Sequence, residues 1–244
     1  MSTPGYTRKY TDVKPDGLTC EPWKDSLLVK YYDDPLVVQS PWINLNAFGI
    51  PKIDKYHPKE EDRQYIRVPL SKDPEDSFVG FIQMLDTYFD SQEFRKTYLS
   101  AKQQQFQYFP LLKESASDKY PPSLKLKLDT KREENADGPF TAILTDFLKI
   151  DEEGKKERMS VHNMNDAMKA VPFKSNVRML FRVMKVWVQP SMKSYGSILR
   201  LKKIQVKKSA KANVKENEDD FVESDKEQND EESFVDTQED TKEV

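Results

Sequence analysis

A mainly β domain with helical insertions, closed as a barrel or a sandwich and followed by an acidic tail, is the architecture this sequence predicts. Three observations lead there. Short apolar runs alternate with turn residues along most of the chain. One long stretch after residue 73 has a helical period. Charge is divided between two segments of opposite sign.

Taken in order, residues 1–22 are polar, carry Gly5, Gly17 and three prolines, and read as a flexible arm. Strands follow at Leu27–Tyr32, Leu36–Val38, Trp42–Leu45 and Tyr65–Leu70, rich in β-branched and aromatic residues and punctuated by Pro35, Pro41, Pro51, Pro58 and Pro69. Asp73-Pro74 then opens a helix, Asp as N-cap and Pro at the first helical position. Phe78, Phe81, Ile82, Leu85 and Phe89 recur at helical spacing, and the predicted helix runs from 74 to 99. Residues 100–120 form a polar connector. Strands return at Ser123–Leu128 and Phe140–Ile150 around a charged loop, 129–138, and again at Arg158–Val161. A short helix covers Asn163–Ala170. The last pair is Val177–Val188 and Ser197–Lys207. Val177, Leu180, Phe181, Met184 and Val188 match a helix as well, but Val183, Val186, Trp187 and Val188 favour strand. Many short strands with one long helix define the barrel or sandwich class.

The charge split separates two segments. Residues 214–244 hold 14 acids against three lysines, a net charge of −11, so the remaining 213 residues carry +8. The tail has few apolar residues and repels itself, which predicts disorder over 212–244. The body, residues 23–211, is long enough for one core. A cationic body gathers phosphates by counterion release without a specific pocket, so the asymmetry points toward nucleic acid or membrane partners. The tail also repeats itself: Phe221-Val222 and Phe234-Val235 sit in acidic frames thirteen residues apart, candidate anchors for a partner. Ser224, Ser233 and Thr237 each have an acid three residues downstream, a pattern for acid-directed kinases that would deepen the charge.

Enzyme signatures are missing. Seven glycines are scattered too widely for a phosphate loop, and there is no G-x-S-x-G elbow. His57, His162 and the single Cys20 form no metal-ligand spacing, so no metal, cofactor or disulfide is expected. No apolar run approaches the roughly 18–20 residues that span a bilayer, and the N-terminus has no apolar signal core. No membrane partner and no secretion are expected.

Basic residues interleaved with aromatics remain. Arg178, Arg182, Lys185 and Trp187 lie on one closing strand; Tyr195, Arg200, Lys202 and Lys203 lie on its partner, extended by Lys207, Lys208 and Lys211. Lys125 and Lys127 alternate with Leu124, Leu126 and Leu128, which puts both lysines on the face opposite the leucines. Cations that follow a backbone while rings stack on bases are how single strands are held. Trp187, Trp23 and Trp42 each read either as core or as a stacking platform, with core favoured. Phe106, Tyr108 and Phe109 lie in a connector and are candidates for exposed stacking. The alternative is a structural virion or interaction protein, which leaves the opposite charges of body and tail without a purpose.

The run SNVRMLFRVMKVWVQPSMKSYGSILRLKKIQVKK resembles the closing strands of the single-stranded DNA-binding proteins of podophages and of nucleocytoplasmic large DNA viruses. An apolar strand ends near an aromatic, Trp187; the turn carries Tyr195-Gly196; the last strand ends in Ile204-Gln205-Val206. PLVVQSPWI and PPSLKLKL are similar to the large-virus members. The resemblance implies an OB-fold-like barrel and binding of single-stranded DNA in viral replication or recombination. It also implies an acidic tail that contacts replication proteins such as a polymerase, helicase or primase, and action inside the host cell. No catalytic set is implied. Podophage-type tails end in an aromatic residue, whereas the phenylalanines here lie further in. A tail reaching a neighbour's groove would favour a homodimer.

Overall fold

The computed structural model describes residues 7–73, 75–115, 117–131 and 142–207. All belong to one unit, Met1–Ala212. The predicted acidic tail, with Phe221, Val222, Phe234 and Val235, lies outside the described residues, as do Lys208 and Lys211.

In chain order the main elements are β1 (Thr7–Lys9), β2 (Leu18–Trp23), β3 (Ser26–Tyr31), β4 (Val37–Gln39), β5 (Ile43–Asn44) and β6 (Tyr65–Pro69). Then come α1 (Ser77–Asp90), α2 (Gln92–Tyr98), β7 (Gln107–Phe109), β8 (Ser123–Leu128), β9 (Asp146–Ile150) and β10 (Lys156–Met159). The chain closes with α3 (Met164–Ala170), β11 (Asn176–Gln189) and β12 (Ser194–Lys207). The fold is mainly β with helical insertions, as the sequence predicts, and holds three α-helices among the described residues.

The 14-residue strands β11 and β12 form an antiparallel ribbon to which most other strands attach. Along one edge, β11 pairs antiparallel with β3, β4 and β5. Along the other, β12 pairs in parallel with β7, β8 and β9. β8 then pairs antiparallel with β6. The circuit closes through residue 49: Gly49 and Arg67 exchange both backbone hydrogen bonds at 2.9 Å, while β5, a few residues earlier, is bonded to β11. β6–β8–β12–β11–β5 and the Gly49 bridge thus form a ring, the hydrogen-bonded outline of a barrel.

Alternation fills that ring. Ile66 and Val68, Leu124 and Leu126, Val177 to Val183 at odd positions, and Leu199, Leu201 and Ile204 are all buried. Helix α1 adds Phe78, Phe81, Ile82, Leu85 and Phe89 to the same core, with Phe78 edge-on to Phe181 of β11.

Three local expectations are corrected. The helix cap is Asp76, not Asp73: the Asp76 carboxylate accepts from the Phe78 and Val79 amides, while Asp73 accepts from Glu75 in the turn before it. The single helix 74–99 is two. Ser91 leaves helical geometry (ψ 149°), and its hydroxyl accepts from the Phe94 amide as the cap of α2. That break turns Phe94 against Phe89 and Tyr195. The supposed flexible arm is ordered from Thr7 onward, because β1 pairs with β4 and β2 pairs along its full length with β3.

Replacing the cap should separate these assignments. Asp76→Ala is expected to lower the unfolding free energy by about 1 kcal/mol. Asp73→Ala should cost less than half of that, with urea denaturation monitored by circular dichroism as the measurement.

Candidate nucleic-acid interface

Strand alternation alone would scatter the basic residues of the ribbon. Arg178 and Arg182 are even-numbered, and Lys185 and Trp187 are odd, so a regular strand would put them on opposite faces. The ribbon shifts register twice instead, between Leu180/Phe181 and between Val183/Lys185. The first shift leaves Lys202 as the extra residue in β12; the second leaves Met184 extra in β11. Val183 and Val186 are then both fully buried, as are Leu201 and Ile204, each pair three residues apart rather than two. The bulges therefore bring Arg178, Arg182, Lys185 and Trp187 to one outward face, with Arg200, Lys203, Gln205 and Lys207 beside them.

Across that face the register builds a row. Tyr65 of β6 lies opposite Lys127 of β8, Lys127 beside Arg200 of β12, Arg200 opposite Arg182 of β11, and Arg182 opposite Val37 of β4. Five strands at about 4.8 Å spacing make this row roughly 19 Å long, with three consecutive cations in its middle. Lys125 pairs with Arg67 in the parallel row next to it, its Nζ 3.9 Å from the centre of the Tyr65 ring.

Like charges placed directly opposite destabilise a sheet. Asp129 offsets part of that cost. It is almost wholly buried, and its carboxylate takes Arg200 Nη1 at 3.1 Å and the Lys202 ammonium. Its own amide donates to Thr145 Oγ1 at 2.8 Å. The Nε atoms of Arg182 and Arg200 are both buried without a hydrogen-bond partner. Burial, and secondarily the neighbouring Arg200, pulls the ionisation of Arg182 below the usual arginine range. Lys203 is engaged at the edge, 3.8 Å from Asp146, which also holds Arg158.

One end of the face is aromatic. Trp23, Ser26, Trp187, Gly196 and Phe109 occupy one line across β2, β3, β11, β12 and β7. Large rings alternate with small residues, so each ring can lie over its neighbour's strand. Gly196 is required: a Cβ there would meet Trp187 Cζ2 at 2.9 Å and the Phe109 carbonyl oxygen at 3.0 Å. Trp187 and Phe109 lie 6.0 Å apart, centre to centre. Lys185 donates to Ser26 Oγ and sits 5.5 Å from the Trp23 ring, and Lys113 sits 5.5 Å from Phe109. At the other end, Trp42 lies between Arg178 and Lys207, each 4.8 Å from its ring centre. Arg178 also donates twice to Gln205 Oε1.

Some sequence-predicted site residues are placed elsewhere. Tyr195 is fully buried, its hydroxyl donating to the Phe89 carbonyl at 3.0 Å, so it belongs to the core. Phe106 and Tyr108 are buried too, Tyr108 donating to Asp86 at 2.7 Å; of that trio, Phe109 alone reaches the face. Sequence reading missed Arg67 and Tyr65, although the I-R-V alternation of β6 carries the same signal as Lys125 and Lys127. It favoured core for Trp23 and Trp42 over the exposed alternative, whereas they are 40% and 36% exposed. Among the described residues, no cluster of three or more His, Cys, Asp and Glu could hold a metal ion, and no helix is long and apolar enough to cross a membrane.

Among solved structures, the chain is similar to gp2.5, a single-stranded DNA-binding protein encoded by bacteriophage T7. Identity is 14%, the match covers 80% of this chain and 100% of that one, and the TM-score is 0.43. It is also similar to the single-stranded DNA-binding protein of bacteriophage Enc34. A C-terminally truncated form matches at 12% identity over 80% of this chain and 96% of that one, TM-score 0.39. The complex of that protein with single-stranded DNA matches at 10% identity over 78% and 93%, TM-score 0.38. No family model and no curated protein matches the chain.

The Asp129 arrangement can be probed by stability. Asp129→Asn is expected to lower the unfolding free energy by about 2–3 kcal/mol, because Arg200 and Lys202 lose their shared counter-charge. Adding Arg200→Gln to that variant should restore part of the loss, and urea unfolding of the single and double variants measures both.

Proposed function

We propose that this chain is a non-enzymatic protein that binds single-stranded DNA without sequence preference through the outward face of β6, β8, β12 and β11. The observation that carries the reading is the in-register row Lys127–Arg200–Arg182. Adjacent cations that cost stability suit a polyanion laid across them. The Trp23–Trp187–Phe109 line and Trp42 supply rings at the two ends. Rings at the rim of a basic face suit bases that are already unstacked, and so a single strand rather than a duplex. Contacts to phosphates and ring faces carry no base code, hence no sequence preference.

In this reading Lys125, Lys127, Arg178, Arg182, Lys185, Arg200 and Lys207 meet phosphates, and Trp187 and Phe109 meet bases. Lys202 and Lys203 shape the field from their ion pairs. The reading extends to viral DNA replication or recombination inside the infected cell. There the −11 tail competes with DNA for cations and recruits replication proteins through Phe221-Val222 and Phe234-Val235. A homodimer would let one copy's tail serve the other.

Binding to a dT oligonucleotide should weaken steeply with salt. Arg182→Ala and Lys127→Ala should each lower affinity roughly tenfold and flatten the log–log salt slope by about 0.7. Removing residues 214–244 should tighten binding at low salt. Fluorescence anisotropy over a salt series reads all of these. Equal affinity with and without the tail would remove the competition idea. Absence of binding by either form would remove the reading itself, and duplex DNA and an RNA oligonucleotide run alongside set its selectivity.

A further inference from the structure

A second aromatic site lies past Arg67, at the far side of the face from Trp187. It is a groove of about 770 Å³ lined by Phe48, Leu70, Lys72, Lys119, Tyr120 and Phe173, among others. Tyr120 is 52% and Phe173 59% exposed. Large rings that gather in one concave place at such exposure mark an interaction site rather than a core. Among the described residues, the only charged side chains that line the groove are those of Lys72 and Lys119.

The backbone around the groove is held in an unfavourable form. Phe48 has φ of 64° and Lys174, next to Phe173, has φ of 66°. Neither is glycine, and such left-handed residues persist only where surrounding structure fixes them. Here the two loops are fixed to each other: Lys174 N donates to the Leu45 carbonyl at 2.9 Å, and Leu45 N to the Ser175 carbonyl at 2.8 Å. That frame presents Phe48 and Phe173 to one opening.

Arg67 connects this groove to the basic face. Its guanidinium lies 4.0 Å from the centre of the Phe48 ring, and its Nε donates to Ser123 Oγ at 2.7 Å. On the sheet it sits opposite Lys125. Phe48 and Tyr120 are 6.0 Å apart, tilted by 35°. A slight opening of the exposed Tyr120 would admit a flat ring between them, since two stacking intervals of about 3.4 Å are needed.

We propose that this groove holds a nucleobase of the same single strand, stacked on Phe48 and Tyr120 with Phe173 at the rim. Lys72 and Lys119 meet the phosphates on either side, and Arg67 passes the backbone from the Lys125–Lys127 row into the groove. This rests on the single-stranded DNA reading and extends its path beyond the β11–β12 face. The ligand class is a pyrimidine or purine base within a strand.

The test uses the full chain, wild type and the single variants Tyr120→Ala and Phe173→Ala. Both residues are exposed, so the fold should tolerate the changes, and unfolding curves verify it. Affinity is measured for a ladder of dT oligonucleotides from short to long. Short ones that fill the basic face alone should bind all three proteins equally. Above a threshold length the variants should bind roughly tenfold more weakly than wild type. A long oligonucleotide bearing 5-iodouracil should crosslink to Tyr120 or Phe48 on irradiation. If wild type binds long oligonucleotides but the variants match it at every length and no crosslink maps to the groove, the inference is overturned while the main reading stands. If the variants instead lose binding to a synthetic DDFVES peptide, the groove takes a peptide and the inference is equally overturned. If wild type binds no oligonucleotide, both fall together.

Discussion

The outward face depends on where the β11–β12 ribbon changes register. Two bulges, at Lys202 and Met184, each reverse the parity of the residues that follow. Without the one at Met184, Lys185 and Trp187 would point into the barrel and Val186 would point out. Burying an unpaired ammonium costs several kcal/mol, so the register is fixed from within as well as by its partners. The same ribbon carries three strands on each edge. The bulges therefore set which ribbon side chains share a face, while the pairings with β8, β3 and β7 align Arg200 with Lys127, Trp187 with Ser26 and Gly196 with Phe109.

Placing cations side by side works against stability, and the fold contains the cost locally. Asp129, buried beneath Arg200 and Lys202, is the compensating group, itself tied to Thr145, whose hydroxyl donates to the Leu201 carbonyl. Arg182 lies beyond its direct reach. The sheet thus leaves the Arg182–Arg200 repulsion only partly offset, since Asp129 favours the charge on Arg182 less than burial and Arg200 oppose it. The aromatic line obeys a complementary rule. Ser26 and Gly196 leave the space that Trp23, Trp187 and Phe109 fill, so the rings are positioned by what their neighbours lack.

Strand identities were legible wherever alternation was regular. The Ser123–Leu128 strand, with its lysines outward, is read directly from LKLKL, and the β-branched content of 177–188 correctly decided strand over helix. What stayed hidden was long-range. A bulge looks in sequence like an ambiguous period, so Arg182 and Trp187 stand out as a cation and a ring on one strand, while their shared face emerges only from the pairing with β12. Asp73 and Asp76 are both competent caps, and only the turn between them decides which one serves. Tyr195 and Trp187 look alike as aromatics in one hairpin. Tyr195 has a buried carbonyl within reach of its hydroxyl and goes inside, whereas Trp187 is held at the surface by Gly196. The N-terminal strands escaped notice because their stability comes from pairing with β3 and β4, which no local pattern records.

Trp23 and Trp42 lie beside cations, and Trp187 lies in line with Trp23 across Ser26 and next to Phe109. The emission of these tryptophans during titration with poly(dT), followed by back-titration with salt, is the direct measurement. Saturable quenching at low salt that reverses as salt rises is expected if single-stranded DNA lies across the basic face. Unchanged emission from a fully folded protein, with no oligonucleotide retained at low salt, would contradict it.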